Sequence, residues 1–89
     1  MKLEHEIDMY EKDREKKVLD AVCKELYTST EKYGPFKTTH EAFGVLREEV
    51  DEFWDACKAN DLPEMEKEAV QVAAMALRCI IDIRRTMNL

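Results

Sequence analysis

The sequence predicts an all-α fold: a long N-terminal helix, then an antiparallel αα-hairpin, in a helical bundle completed by oligomerisation. Three observations predict it. Only two glycines and two prolines occur in 89 residues, so the chain has few places to turn, which favours a few long helices over many short strands. Apolar residues recur at spacings of three and four along long segments, the period of one helix face. Thr38 with Glu41, and Asp61 with Glu64, have the spacing of capping boxes, in which two side chains satisfy orphan amides at a helix start.

A chain of this length makes one domain, 1–89, near the small end of what folds without staples. Apolar residues at 45% supply a core, and charged residues at 38% suit amphipathic helices with solvated outer faces. Cys23, Cys57 and Cys79 are scattered and lack any Cys-x-x-Cys or Cys/His spacing. That argues against structural zinc and reads as buried thiols in a reducing compartment. The N-terminus is too charged for a signal peptide, and the longest apolar run, residues 72–77, falls far short of a membrane span. The expectation is a soluble, cytoplasmic protein with no membrane partner. A net charge of −6 argues against nucleic acid bound through a basic face. Small phosphorylated ligands, which bring their own cations, stay open.

The first helix is predicted over residues 3–33. The charged run at 11–17 is a solvated face with intrahelical pairs such as Asp13–Lys17. Leu19, Val22, Cys23, Leu26 and Tyr33 keep one face apolar, and Leu3, Ile7 and Tyr10 make a weaker stripe suited to a partner. Gly34 fits the left-handed position after a helix, Pro35 cannot continue it, and Phe36 tucks against the core. The second helix is predicted over 38–59, with Phe43, Leu46, Val50, Phe53 and Cys57 as its core stripe and Trp54 widening it. His40, in its first turn, reads as structural. After a short loop at Asn60 and Asp61, the third helix is predicted over 62–86, with Pro63 tolerated in its first turn. A link this short makes the two helices antiparallel neighbours.

From 69 to 77 eight of nine residues are apolar, Gln71 being the exception. A helix that is apolar nearly all round is buried on most sides, and two other helices cannot easily surround it. The small residues Ala69, Ala73, Ala74 and Ala76 admit close approach. A homodimer or homotetramer packed through third helices is therefore expected, against a monomer whose first helix folds across this surface.

Residues 48–52 place four acids in five positions, Glu48, Glu49, Asp51 and Glu52, and like charges three and four apart on a helix repel. On a wheel, Glu49 flanks the core stripe and Glu52 lies beside it on the next turn. Such a pair can share a hard cation, which wants oxygen ligands and keeps several waters. Glu48 and Asp51 point further outward. On the third helix Glu68 and Gln71 repeat the spacing of three beside the apolar run. An ionised Glu68 there needs a partner or its pKa rises. A cation shared with Glu49 and Glu52 would serve; so would Lys67, Arg78 or a lysine of the first helix.

Glu49-Val50-Asp51-Glu52 after Glu48, followed by Glu68-Ala69-Val70-Gln71 and an apolar run, resembles the MazG-like all-α nucleotide pyrophosphohydrolases. That family carries Glu-x-x-Glu on one helix and Glu-x-x-Asp on the next. His40-Glu41-Ala42-Phe43 leading into Glu48-Glu49, and Gln71-Val72-Ala73-Ala74-Met75-Ala76, look more specifically like small phage-type members. The resemblance covers about residues 36–85; the first helix matches no motif. It implies a MazG-like helical bundle, oligomeric, binding Mg²⁺ (or Mn²⁺) and cleaving a nucleoside triphosphate between its α and β phosphates to a monophosphate and pyrophosphate. Carried over by position, Glu49, Glu52, Glu68 and Gln71 are the metal positions. The chain departs at Gln71, where the family has Asp: one neutral oxygen replaces a carboxylate, which weakens Mg²⁺ binding. Asp82 lies too far along the helix to replace it. The implied chemistry is attack by water on phosphorus, with Glu48 or Glu52 orienting the water. Lys58, Lys67 and Arg78, then Arg84 and Arg85, are candidates for the phosphates; the plainer role of each is a surface ion pair. Trp54, Phe36 and Phe43 are core residues before they are base-stacking ones.

Three functional readings follow: an active Mg²⁺-dependent pyrophosphohydrolase, a nucleotide-binding or regulatory module of the same fold, and a structural helical oligomer with its acids simply solvated.

Overall fold

Three helices make up the regular structure of the computed structural model, which describes residues 3–89: α1 (Glu11–Tyr33), α2 (Thr39–Lys58) and α3 (Leu62–Thr86). The chain is all-α, and no described helix is long and apolar enough to cross a membrane. α3 is the middle element. Both α1 and α2 pack on it, while α1 and α2 stay apart from each other. α2 runs antiparallel to α3 across the short turn at Asn60, whose φ of 53° is the left-handed conformation asparagine tolerates. α1 runs parallel to α3. Its Ala21 and Lys24 face a groove shared with Pro63 and Lys67, and its end at Gly34 meets Arg78. The turns of α1 before Ala21 therefore project past the start of α3.

The start of α1 corrects the expected helix over 3–33. Residues 3–8 lie outside any helix, and Met9 and Tyr10 form a turn. The Asp8 carboxylate accepts from the Tyr10 amide at 2.9 Å and pairs with Arg14 at 2.8 Å, a local alternative to helical bonding of the kind short acidic side chains offer. The expected stripe of Leu3, Ile7 and Tyr10 is exposed. Around the charged run the ion pairs are Arg14 with Asp8 and Glu11, and Lys16 with Asp20; Asp13–Lys17 is not among them.

The other boundaries fall within a residue of expectation because their caps form. Thr38 accepts from the Glu41 amide at 3.0 Å, and Asp61 from the Glu64 amide at 3.2 Å. Neither box closes as expected. The Glu41 carboxylate accepts from Lys37, one residue early, and the Asp61 amide donates to the Ala56 carbonyl. At Gly34 φ is 67° but ψ is −168°, so the backbone leaves the helix extended through a region essentially reserved for glycine.

Two α3 side chains one turn apart hold the link between α1 and α2. Arg78, only 5% exposed, donates to the Gly34 carbonyl at 2.7 Å and stacks on Phe36 at 4.3 Å. Asp82 accepts from the Phe36 amide at 2.9 Å and from Arg85 at 2.8 Å. Asp82→Ala leaves the part-buried Phe36 amide without its acceptor and should cost about 1–3 kcal/mol of stability, read by urea unfolding. Asp82→Asn keeps an acceptor and should lose less. Equal stability for Asp82→Ala and the native chain would remove this role.

Because α1 and α2 each meet one neighbour, each buries a narrow strip. The buried apolar residues are Val22, Ala56, Ala74 and Met75. On α1 the inner strip is Val22, Leu26 and Ser29, and Leu19, Cys23 and Tyr33 are exposed, against expectation. On α2 the expected stripe splits. Leu46, Phe53 and Cys57 turn inward and are half-buried, while Phe43, Val50 and Trp54 are exposed along one edge. The thiols are all free; Cys23 is exposed, Cys57 and Cys79 half-buried, so the expectation of three buried cysteines fails where the single chain leaves that flank open. On α3 Ala69, Ala73, Ala76, Ile80 and Ile83 fall at alternating spacings of four and three, with Ile80 and Ile83 half exposed. The three-helix layer thus has an apolar back. Its front is a cleft.

Candidate metal centre

The cleft occupies the gap between α1 and α2, with α3 as its floor. It measures about 520 Å³, within the range of small-molecule sites. Gln71, Met75 and Arg78 form the floor; Glu25, Ser29 and Lys32 stand on the α1 side, and Val45, Glu48 and Glu49 on the α2 side. The cleft exists because α1 and α2 pack on α3 without meeting, and Val45 and Glu49 face it from the flank of α2 away from Phe43, Val50 and Trp54.

At the turn end of this cleft three carboxylates converge. One oxygen each from Glu49, Glu52 and Glu68 lies within 4.8 Å of the other two. The i,i+3 spacing sets Glu49 and Glu52 on adjacent turns of α2, and the antiparallel hairpin sets Glu68 opposite them. Glu68 is only 8% exposed, and its Oε2 is buried with no hydrogen-bond partner. Burial, then Glu52, then Glu68 push the Glu49 carboxyl up to about 7. Burial, then the adjoining Glu52 and Glu64 carboxyls, raise that of Glu68. Three acids closer together than like charges tolerate, one with an orphaned oxygen, form a donor set that fits a hard divalent cation.

The other predicted positions separate. Glu48 is exposed on the cleft wall, near enough to add to the repulsion at Glu49, but outside the cluster of three. Gln71 is half-buried on the floor of the cleft that Glu49 also lines. Lys58 and Lys67 are exposed and pair with their own helix neighbours, Asp55 at 3.3 Å and Glu64 at 3.7 Å; neither lines the cleft. Arg78 does line it, two turns or roughly 10 Å beyond Gln71, without a carboxylate partner among the described ion pairs. Arg85 is bound to Asp82, and Arg84 is exposed.

Two contributions escape a reading of the sequence. The α1 wall does, because nothing local sets a parallel helix against α3. Glu64 does, because a capping role accounts for it in advance; yet it stands four residues before Glu68 and seven before Gln71, on the same helix face.

If residue 71 is a metal position, Gln71→Asp should tighten Mg²⁺ binding by about an order of magnitude, the scale on which ligand-environment changes act. An unchanged calorimetric titration would take Gln71 out of the site.

No protein-family model matches the chain, and no curated protein or solved structure matches it significantly.

Proposed function

We propose that the chain is a Mg²⁺-dependent nucleoside triphosphate pyrophosphohydrolase of MazG-like type, converting the triphosphate to a monophosphate and pyrophosphate. The observation that carries this reading is the convergence of Glu49, Glu52 and Glu68 within 4.8 Å, with a buried, unpartnered Glu68 oxygen, at the end of a ligand-sized cleft. A bound Mg²⁺, or Mn²⁺, would supply charge neutralisation at the phosphates and an acidified water. Glu49 is the member of the three that lines the cleft, so phosphates lying there meet the centre on its side. Glu48, on the same wall, is placed to orient a water, with Glu52 as the other candidate. Arg78 is a cation at the far end of the cleft. The reading places the protein in the cytoplasm, where nucleoside triphosphates are.

The test is pyrophosphate release from a panel of ribo- and deoxyribonucleoside triphosphates with Mg²⁺ or Mn²⁺. Gln71 favours a second reading, a nucleotide-binding module without turnover, because the amide leaves the floor of the site one charge short. No release, combined with Mg²⁺-dependent thermal stabilisation by nucleotide, would select it. Neither effect would leave the structural oligomer.

The same proposal includes self-association through the apolar back. Phe43 and Trp54, 64% and 59% exposed, flank α3 with the half-exposed Ile80 and Ile83, and a grouped apolar face of this kind marks an interaction surface. A homodimer or homotetramer is the expected result in sedimentation; a monomer at all concentrations would contradict it.

A further inference from the structure

At the end of the layer away from the Asn60 turn, an apolar groove of about 570 Å³ lies between the link and the last turns of α3. Phe36, Ala42, Cys79, Ile83 and Met87 line it. Ile83 and Met87 still show more than half their surface to water. Ile83 belongs to the apolar back as well, so groove and back are one continuous surface.

The opposite end of the molecule carries an apolar segment with nothing to cover. Leu3, Ile7 and Met9 are 67%, 84% and 86% exposed, and no residue from 3 to 10 is helical. The Asp8 carboxylate, bound to the Tyr10 amide and to Arg14, fixes the turn at which the chain leaves α1 as an arm. Drawn out, that arm alternates. Leu3, His5, Ile7 and Met9 fall on one side and Glu4, Glu6 and Asp8 on the other, the period of an extended segment with one face covered.

The arm cannot reach the groove of its own chain. From Pro63, which shares a hollow with Ala21, α3 rises about 30 Å to Ile83, and α1 runs back about 15 Å from Ala21 to Glu11. Residues 3–10 span at most about 28 Å when fully extended. A second copy turned end for end across the apolar back removes that distance, because a two-fold axis across α3 sets the start of one layer beside the end of the other. Charge agrees with this pairing. Glu4 and Glu6 have no cation among the described ion pairs, and Lys37 on the groove and Arg84 in the last turn of α3 have no carboxylate there. The one acid lining the groove, Asp82, is already held by Arg85 and the Phe36 amide.

We propose that residues 3–9 of one chain lie in the groove between the link and α3 of a second copy, apolar side inward, in a reciprocal exchange of arms. This rests on the self-association reading and gives it an orientation. Leu3, Ile7 and Met9 cover the partner's groove, and Glu4 and Glu6 face its basic rim.

Disulfide trapping in the whole chain tests this, with Cys23→Ser and Cys57→Ala leaving Cys79 as the one native thiol. Leu3→Cys, Ile7→Cys and Met9→Cys are introduced singly and oxidised. At least one should give a covalent dimer that Cys79→Ser abolishes, whereas Glu4→Cys and Glu6→Cys should not trap through Cys79. Ile7→Asp combined with Met9→Asp should leave helix content by circular dichroism unchanged, since both side chains are exposed in the single chain. It should weaken self-association in sedimentation by about 100-fold or more, the loss of two buried apolar side chains. A native dimer that traps through Cys79 from none of the three positions, or keeps its affinity in the double variant, overturns the exchange and leaves the packing of apolar backs standing. A native chain that is monomeric at all concentrations overturns both. A disulfide to Cys79 within one chain, at monomer mass, overturns the second copy as the occupant.

Discussion

Glu49→Ala should lower pyrophosphate release by at least about 10²-fold, since even residues that only support a metal ligand cost 10- to 100-fold when removed. It should do so without harming the fold. Glu49 is half-buried on a cleft wall, and neither the side-chain hydrogen bonds nor the ion pairs of the described residues depend on it. Its removal takes one charge out of a repelling set, so the metal-free variant should unfold at a higher temperature than the native chain. A gain in stability beside a loss of turnover is the signature of a residue kept for function at a structural cost. Measured release equal to that of the native protein would remove Glu49 from the centre, and with it the three-carboxylate cluster as the seat of the activity. Glu48→Gln, judged by kcat at saturating Mg²⁺, then separates a water-orienting acid from a metal ligand.

The second large effect is an inverted response to pH. The Glu49 carboxyl is pushed up to about 7 from an ordinary value near 4.5, and Glu68 moves in the same direction. The unfolded chain restores both to the ordinary value. Across the window from about 4.5 to 7 the folded state therefore binds more protons than the unfolded one, and folding stability rises as pH falls. Acidic proteins stabilised by salt-bridged carboxylates do the opposite. In EDTA, thermal unfolding should come at a higher temperature at pH 5.5 than at pH 8. Saturating Mg²⁺ competes with those protons, so it should raise the unfolding temperature most at pH 8 and flatten the profile. A metal-free profile that climbs from pH 5.5 to 8 would show that the carboxyls are not strained in this way.

What the sequence made legible depended on how local the cause was. The starts of α2 and α3 are readable because Thr38 and Asp61 accept from amides three residues on, and the end of α1 because Gly34 takes a positive φ and donates back to the Thr30 carbonyl. The start of α1 was not, because residues 3–17 are helix-compatible throughout and one carboxylate, Asp8, diverts the backbone. The pairing of Glu49 and Glu52 with Glu68 was readable from spacing and a short turn. The cleft was not. It depends on Arg78 and Asp82 reaching the link 44 and 46 residues earlier, and on α1 lying parallel to α3, which no periodicity encodes. The α2 stripe reads as one arc because its apolar spacing is continuous; the structure divides it between α3 and an open edge, and only a neighbour's position decides where that division falls.

Arg78 and Asp82 sit at one end of the layer, and the crowded carboxylates sit at the other. The molecule is thus fastened like a pair of tongs, riveted where the link crosses α3 and sprung where α2 meets α3 near the turn. The crowded carboxylates push outward, and on the proposed function a bound cation would turn that spring into a latch. On the proposed function, a cation taken up there would draw α2 and α3 together at the turn end while Arg78 and Asp82 keep the order of the three helices at the other.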